Sequence, residues 1–313
     1  MKRDPGTVLA DLVPPRRGMR SVMAQRIEQT NAAAAQEGCW VVEEQALRIE
    51  VAEVGSYILM STPTGPIQAT GYCAPEGLLG EHGEPGELAL AAGFLFTEGI
   101  IHAMSDVASM ALCPDAPGVV KVSLRDPVGV QSARRSGLVT SSCGLCGNVD
   151  SLEEVFPAAL RVGRTRVVCG ARVHQYMQAM QAHQFLFGST GGTHAAALFD
   201  QDDKLLAAAE DLGRHNALDK VIGHCLLQHI DTAACCVVLS GRVSLEMIVK
   251  AARAGIELVA AVSAPSSMAL DAAQRAGITL CGFVRGTRLT AYTHAHRLGD
   301  RFQICGLEVQ AAT

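Results

Sequence analysis

The sharpest chemistry in this sequence sits in Ser141-Ser-Cys-Gly-Leu-Cys-Gly147, where Cys143 and Cys146 form a CxxC set among glycines. Directly after it, Ser151-Leu-Glu-Glu154 reads as a capping box that opens a helix. A CxxC can ligate a metal, cycle a disulfide or carry sulfur as a persulfide, and it can also be two inert core thiols. Structural zinc takes four ligands, and there is no second CxxC. Cys235 and Cys236 are adjacent on a predicted strand, so their side chains leave opposite faces and read as core. Zinc deaminases combine H-x-E with P-C-x-x-C. His82-Gly-Glu84 supplies the first half, but Ser142 stands where the proline belongs. A thioredoxin-type exchanger places its CxxC at a strand end near the start of the chain, which this motif does not.

Sulfur carriage agrees with the physics of thiols. The thiolate is the nucleophile, and a thiol of pKa ~8.5 is only ~3% ionised at neutral pH. Lowering that pKa to ~6.5 raises the ionised share to ~75%, which requires ~2.7 kcal/mol of preferential stabilisation. The N-terminus of the Ser151 helix and backbone N–H groups beside Gly144 and Gly147 are suited to supply part of it. The second cysteine can resolve a persulfide or help pass its outer sulfur on.

Composition narrows the class. The chain has 313 residues, 49% hydrophobic, 18% charged and 4% aromatic, with a net charge of −5. Basic residues do not form a stripe and stacking aromatics are few, which argues against a nucleic-acid partner. Eleven cysteines, an odd number mostly inside apolar runs, do not resemble a secreted disulfide framework and point to a reducing compartment. Residues 1–20 lack the apolar stretch of a secretory signal, and no apolar run is long enough to span a membrane.

Elements that could position the motif follow from periodicity. Residues 1–38 read as a flexible N-terminal extension, with a thin-faced helix over Ser21–Gln36 as the alternative. Leu47–Val51 alternates at period two and predicts a strand, Ser56–Met60 a second, and Val119–Leu124 a third. Thr62–Pro85 is rich in Gly and Pro and predicts a long loop, followed by a helix over Gly86–Phe96. Beyond residue 150 the expected helices are Arg172–Gln184, His215–His229, Val243–Ala254 and Pro265–Ala276. Strands are expected at Cys236–Leu239, Leu258–Val262, Thr279–Val284 and Leu289–Thr293, with a chain break at Gly188–Gly192. This alternation predicts a layered α/β fold, with residues 39–149 as a smaller N-terminal α+β region ending in the CxxC loop and residues 150–313 as the main α/β domain.

These residues together carry a resemblance to the FdhD family of formate dehydrogenase accessory sulfurtransferases. It rests on the CxxC block, Thr190-Gly-Gly-Thr-His-Ala-Ala-Ala-Leu-Phe199, and Glu210-Asp-Leu-Gly-Arg-His-Asn-Ala-Leu-Asp-Lys-Val-Ile-Gly223. Ser240-Gly-Arg242, Ala260-Ala-Val-Ser-Ala-Pro265, Gly282-Phe-Val-Arg-Gly-Thr-Arg288 and Tyr292-Thr-His294 continue it in order. The resemblance implies a cytoplasmic sulfur carrier that receives sulfur from a cysteine desulfurase as a persulfide. It would pass that sulfur to the bis-molybdopterin guanine dinucleotide (bis-MGD) form of the molybdenum cofactor, which the formate dehydrogenase catalytic subunit needs.

Carried over residue by residue, the resemblance makes Cys143 the persulfide bearer, Cys146 its partner, and Phe283, Val284, Arg285, Gly286, Thr287 and Arg288 the cofactor-binding segment. It also implies a main domain similar to the cytidine deaminase fold, no structural metal and a homodimer. The alternatives are a cofactor-binding chaperone without sulfur chemistry and a zinc-dependent deaminase-like hydrolase. His194, Arg214 and His215 are further candidates for the pocket, Thr190-Gly191-Gly192 reads as a phosphate cradle or a turn, and Asp219 with Lys220 reads as a surface pair on a helix. Two departures from the family pattern are the long Thr62–Pro85 loop, with Cys73 and His82, and Leu245 in place of an aromatic residue.

Overall fold

A computed structural model describes residues 16–28, 31–64, 71–73, 77–79, 86–113, 115–127, 137–139 and 160–299. The chain begins in a β-hairpin: β1 (Met19–Glu28) pairs antiparallel with β2 (Asn31–Val42), Met19 opposite Val42. This corrects the expected extension or helix over this stretch. The alanine-rich run Ala32–Ala35 suits a helix locally, and strand pairing overrides that weak preference. The base of the hairpin is tied down. Gly18 adopts φ +92 where a Cβ would lie 2.8 Å from the Pro63 carbonyl oxygen, and its own carbonyl accepts from the Glu43 N–H at 2.8 Å. Arg17 pairs with the buried Glu87, and Arg16 lies over the Phe185 ring.

Two larger sheets follow. In the first, β3 (Gln45–Val51), β4 (Gly55–Ser61), β5 (Gly71–Cys73), β6 (Gly77–Leu79), β7 (Val107–Cys113), β8 (Ala116–Leu124) and β9 (Gly137–Val139) lie in the order β6-β5-β7-β8-β3-β4-β9. Two of these strands, β5 and β6, occupy part of the expected Thr62–Pro85 loop, and β7 was not legible from periodicity. Helix α1 (Glu87–Thr97) covers this sheet, with Leu88, Leu90, Phe94 and Leu95 in a core shared with Leu47, Ile49, Leu59 and Val120.

The second sheet has the order β11-β10-β12-β13-β14-β15. It comprises β10 (His194–Phe199), β11 (Leu205–Asp211), β12 (Cys236–Leu239), β13 (Leu258–Ala261), β14 (Thr279–Arg285) and β15 (Arg288–Thr293). The central β12, β13 and β14 run parallel and the outer pairs antiparallel. Helices α4 (Arg214–Leu227), α5 (Leu245–Arg253) and α6 (Ser267–Ala276) pack on one face. On the other lies α2 (Gly170–Ala182). The short α3 (Phe185–Thr190) extends into the expected break, and Gly191 ends it at φ +67. Covered faces explain why β12 and β13 are wholly apolar runs. The α/β class expected from the alternation is the class observed.

The two layers meet at α1 and α4. A Cβ on Gly93 would lie 1.9 Å from the Asp219 carbonyl oxygen, and one on Gly223 1.9 Å from that of Ala89. The helix backbones therefore touch. Charges seal the joint on both sides. The Asp219 carboxylate accepts from Thr97 Oγ1 at 2.8 Å and Lys250 Nζ at 2.9 Å. Lys220 Nζ donates to the Thr62 carbonyl and Thr64 Oγ1, both at 2.9 Å, and pairs with Asp211 at 2.8 Å. Asp219 and Lys220 are each 1% exposed, so the expected surface pair is instead two separate buried ion pairs.

Most described cysteines are unreactive by position. Burial pushes the thiols of Cys225, Cys235 and Cys281 up to about 12 and that of Cys236 up to about 11. Cys169 is disulfide-bonded.

Gly223→Ala should prevent folding or cost at least ~3 kcal/mol, because backbone atoms cannot yield to the new Cβ. Gly188→Ala meets no atom within 4 Å and should be neutral or stabilise α3 by ~0.5–1 kcal/mol. Thermal melting of the two variants checks both. Maleimide at neutral pH should leave Cys225, Cys235, Cys236 and Cys281 unlabelled in the native protein and modify all four in denaturant. Native-state labelling of any of them, read by peptide mass mapping, would contradict their burial.

Candidate functional site

In a sheet of this kind the carboxyl ends of the parallel strands are where turns and helix N-termini gather, and where ligands bind. Here β12 ends into Ser240-Gly241-Arg242 and β13 into Val262-Ser263-Ala264-Pro265. Because β10 runs antiparallel to β12, its first residue, His194, lies at the same edge. Strand β11 ends there at Asp211, opposite His194, and the chain turns through Gly213 into α4. The sequence blocks that looked separate thus deliver their ends to one edge.

Three elements of this edge interlock. A Cβ on Gly241 would come within 3.1 Å of His194 Nδ1 and 3.6 Å of the Arg214 Cβ, so both side chains flank this glycine closely. Ser240 Oγ accepts from the Ala195 N–H at 2.8 Å and sits 3.4 Å from His194 Nδ1. His215 Nε2 pairs with Glu246 at 2.8 Å, and Ser244 Oγ lies 3.4 Å from the same nitrogen. His194 is held below the usual imidazole range by burial and then by the positive charges of Arg214 and Arg242. Burial and Arg242 likewise depress Arg214. The Glu246 carboxyl is held low by its bond to His215.

The proposed cofactor segment lies on the same edge. Phe283 is exposed and takes φ +52, a rare conformation for an aromatic residue, with its N–H bonded to the Ser263 carbonyl at 3.2 Å. Val284 points into the core. Gly286, at φ +55, and Thr287 form the two-residue turn between β14 and β15. Arg285 and Arg288 face each other across it, both exposed, and Arg285 Nε donates to the Val262 carbonyl at 3.3 Å. Like charges directly opposite on a hairpin repel, which an anion between them would relieve.

Cys143 and Cys146, with the rest of Ser141–Asn148 and the Ser151 helix, lie outside the described residues, as do His82 and Glu84. Among the described residues no cluster of three or more His, Cys, Asp or Glu could hold a metal. The structure brings His194, Arg214 and His215 together and adds Arg242, Ser240 and Glu246, which sequence reasoning did not single out. The SGR triplet was the available signal, since a glycine between polar residues after a predicted strand marks a close approach. Thr190-Gly191-Gly192 is a helix stop: the Thr190 hydroxyl bonds the Leu186 carbonyl at 2.7 Å and accepts from the Gly192 N–H at 3.1 Å.

Known proteins resemble this chain. A sulfur carrier protein FdhD from Anaeromyxobacter sp. (strain K) is 41% identical over 239 residues, 69% of this chain and 80% of that protein. One of the same name from Nocardia farcinica is 43% identical over 226 residues, 68% of this chain and 78% of its own. A crystal structure from Desulfotalea psychrophila, described as a formate dehydrogenase accessory protein, superposes with a TM-score of 0.64 at 22% identity, covering 89% of this chain and 99% of the other. At that identity the likeness speaks for a common fold. The FdhD/NarQ family model matches residues 84–299, which take in the CxxC and every block at the carboxyl edge, and the chain belongs to that family.

Proposed function

We propose that this protein is a sulfur carrier. It takes sulfur from a cysteine desulfurase as a persulfide on Cys143 and delivers it to the bis-MGD molybdenum cofactor, its substrate, for use by formate dehydrogenase. The observation that supports this most directly is the family match across residues 84–299, containing Cys143-Gly-Leu-Cys146, with relatives named as sulfur carriers. The cytoplasm as its compartment, a homodimer as its assembly, and a cytidine-deaminase-like main domain over residues 150–313 belong to the same reading. So does the division at residue 149.

The chemistry balances on two thiols. The Cys143 thiolate attacks the outer sulfur of the donor persulfide, a Cys143–S–S⁻ forms and the donor leaves as a thiolate, with no net change in oxidation. Delivery at the sulfide level requires two electrons. Cys146 supplies them by attacking the Cys143 sulfur: hydrosulfide leaves, a Cys143–Cys146 disulfide closes, and an external thiol reductant resets the pair. A guanine dinucleotide is flat at one end and carries several negative charges along its length. The exposed Phe283 ring matches the first feature and the facing Arg285 and Arg288 the second.

Incubation with a cysteine desulfurase and cysteine should add sulfur to the wild-type mass and none to Cys143→Ala. Cys146→Ala should load and fail to release. If Cys143→Ala loads normally and still activates formate dehydrogenase, the protein is a cofactor chaperone and this reading is wrong. Arg285→Ala with Arg288→Ala should weaken guanine nucleotide retention at least ~10-fold, each charge-assisted contact being worth ~1.5–3 kcal/mol; equilibrium dialysis measures it.

A further inference from the structure

The edge opposite the candidate site, at the amino ends of the parallel strands, holds a second group of cations. Strands β13 and β14 begin there at Leu258 and Thr279, and β15 ends there at Thr293, next to Leu280. Helix α6 stops at Gly277, φ +85, just before β14. A Cβ on Gly277 would lie 3.6 Å from Arg164 Nε and 3.8 Å from Arg297 Nη2, so two guanidinium groups border one small residue. His294 follows β15 in the left-handed region at φ +49, and its ring meets that of His296 edge-on at 5.9 Å.

The buried member of the group is Arg297, only 3% exposed. The acid paired with it is Glu257, whose carboxylate is already engaged. It accepts from the Thr165 N–H at 2.9 Å, the Thr165 hydroxyl at 3.1 Å and the Arg166 N–H at 2.7 Å. A Cβ on Gly163 would collide with Glu257 Oε1, so this loop is clamped onto the carboxylate. Arg297 Nη1 stays 4.0 Å away and makes no hydrogen bond. The buried Thr279 hydroxyl also lacks a partner, and the Thr279 N–H donates to the Glu257 carbonyl at 2.9 Å. Among the described residues, two of the four buried side-chain atoms without a hydrogen-bond partner thus adjoin Glu257. Such atoms are costly unless an acceptor arrives from outside. A water molecule would satisfy either atom and leave the charge unbalanced. His294 is held below the usual imidazole range by burial and, against its bond to the Gln274 carbonyl, by Arg297, His296 and Arg164. Burial and Arg164 likewise depress Arg297, against the pull of Glu257. An anion relieves cations that disfavour one another in this way. Two guanidinium forks and an imidazole are donors matched to the oxygens of a tetrahedral oxoanion.

We propose that Arg164, Arg297 and His294 form a seat for a small oxoanion of the phosphate or sulfate class, entering beside Gly277 from the side of the exposed Arg164 and His296. Arg164 and Arg297 would each present guanidinium N–H groups, and Arg297 Nη1 would gain the acceptor it lacks. His294 Nε2 lies 3.3 Å from the Gln274 carbonyl, so the ring would donate to the anion through Nδ1 once protonated. The seat is independent of the sulfur-carrier reading and uses none of the residues at the carboxyl edge.

The test uses the full-length protein with labelled histidine, titrated by NMR with inorganic phosphate, sulfate and phenyl phosphate. The His294 signal is assigned by its loss in His294→Gln. Phosphate and sulfate should shift that signal saturably and raise the pKa of the ring, a change that a purely structural histidine would not show. Arg164→Gln, at an exposed position, should weaken both by roughly 10- to 100-fold. Arg297→Lys, which keeps the charge and loses the fork, should weaken them too, and Arg164→Gln decides alone if the lysine variant melts early. Arg242→Gln, at the other edge, should leave the affinity unchanged. Phenyl phosphate binding as well as phosphate would assign the seat to a phosphate monoester carried on a larger ligand; its exclusion would assign it to the free ion. No saturable shift at ~10 mM phosphate or sulfate, enough to reveal a seat of millimolar Kd, would mean that water serves Arg297 and Thr279 and would overturn the proposal. Undiminished affinity in the arginine variants, or equal weakening by Arg242→Gln, would overturn it as well. Sulfur loading of Cys143, read by mass, is a separate measurement and bears on none of these outcomes.

Discussion

Everything in this molecule depends on how closely α1 approaches α4. Helices separated by ordinary side chains stand 8–10 Å apart and can slide or rotate by a few degrees. Here Gly93 and Gly223 bring main chain against main chain, with no volume to spare for even one carbon. Contact of this kind fixes axial register as well as distance. The flanking ion pairs then act as keys, because Lys220 reaches back to Thr62 and Thr64 in the first layer and Lys250 reaches Thr97 and Glu98. Burying two lysine–aspartate pairs is expensive, and replacing both members of each by apolar residues of similar volume could hold the layers as strongly. The ionic version specifies one arrangement, since any shift of α4 would strand charges away from water.

That specification reaches the carboxyl edge through α4 itself. The helix that carries Lys220 and Gly223 in its middle begins with Arg214 and His215. Asp211 connects the two functions: its carboxylate holds Lys220 and Thr62 at the joint while capping Gly213 and Asn216 at the start of the helix. The block Glu210–Gly223, dense in polar residues, therefore works mainly as structure. Glu210 is spent on the N–H groups of Leu186 and Phe187 and on the Thr193 hydroxyl. Arg214 and His215 are the residues of this stretch that lie beside Gly241 and Glu246 at the carboxyl edge.

Legibility from sequence followed the reach of the forces involved. The β12–α5–β13–α6–β14 succession was readable because each strand is a short apolar run and each helix has a one-sided stripe ended by Gly255 or Gly277 at positive φ. The hairpin of β1 and β2 was missed because a run of alanines has no periodicity, and what makes it a strand is its partner. Strands β5 and β6 were lost among glycines and prolines for the same reason: three residues paired on a sheet edge leave little local pattern. Asp219 and Lys220 were misplaced because charges on a helix usually face water, and nothing in one helix reveals that a glycine-lined partner covers it. Of the candidate site, His194, Arg214, His215 and Arg285 were legible; Arg242, Ser240 and Glu246 were not, and neither was the convergence of the set. His194, Arg214, Arg242 and Arg285 come from four separate strand ends, and only the sheet order makes them neighbours along one edge.

Several local irregularities lie at that edge. Phe283 holds φ +52 with its ring exposed, Arg214 keeps a buried nitrogen without an acceptor, and two adjoining helices begin without side-chain caps. Each of these is disfavoured alone, by ~1–3 kcal/mol for the strained backbone or the orphaned donor. Other described residues carry similar features: Trp40 Nε1, Thr279 Oγ1 and Arg297 Nη1 are also buried without a hydrogen-bond partner, and α1, α2 and α3 also begin without side-chain caps. What distinguishes the edge is that its features fall on separate strand ends that the sheet order makes neighbours.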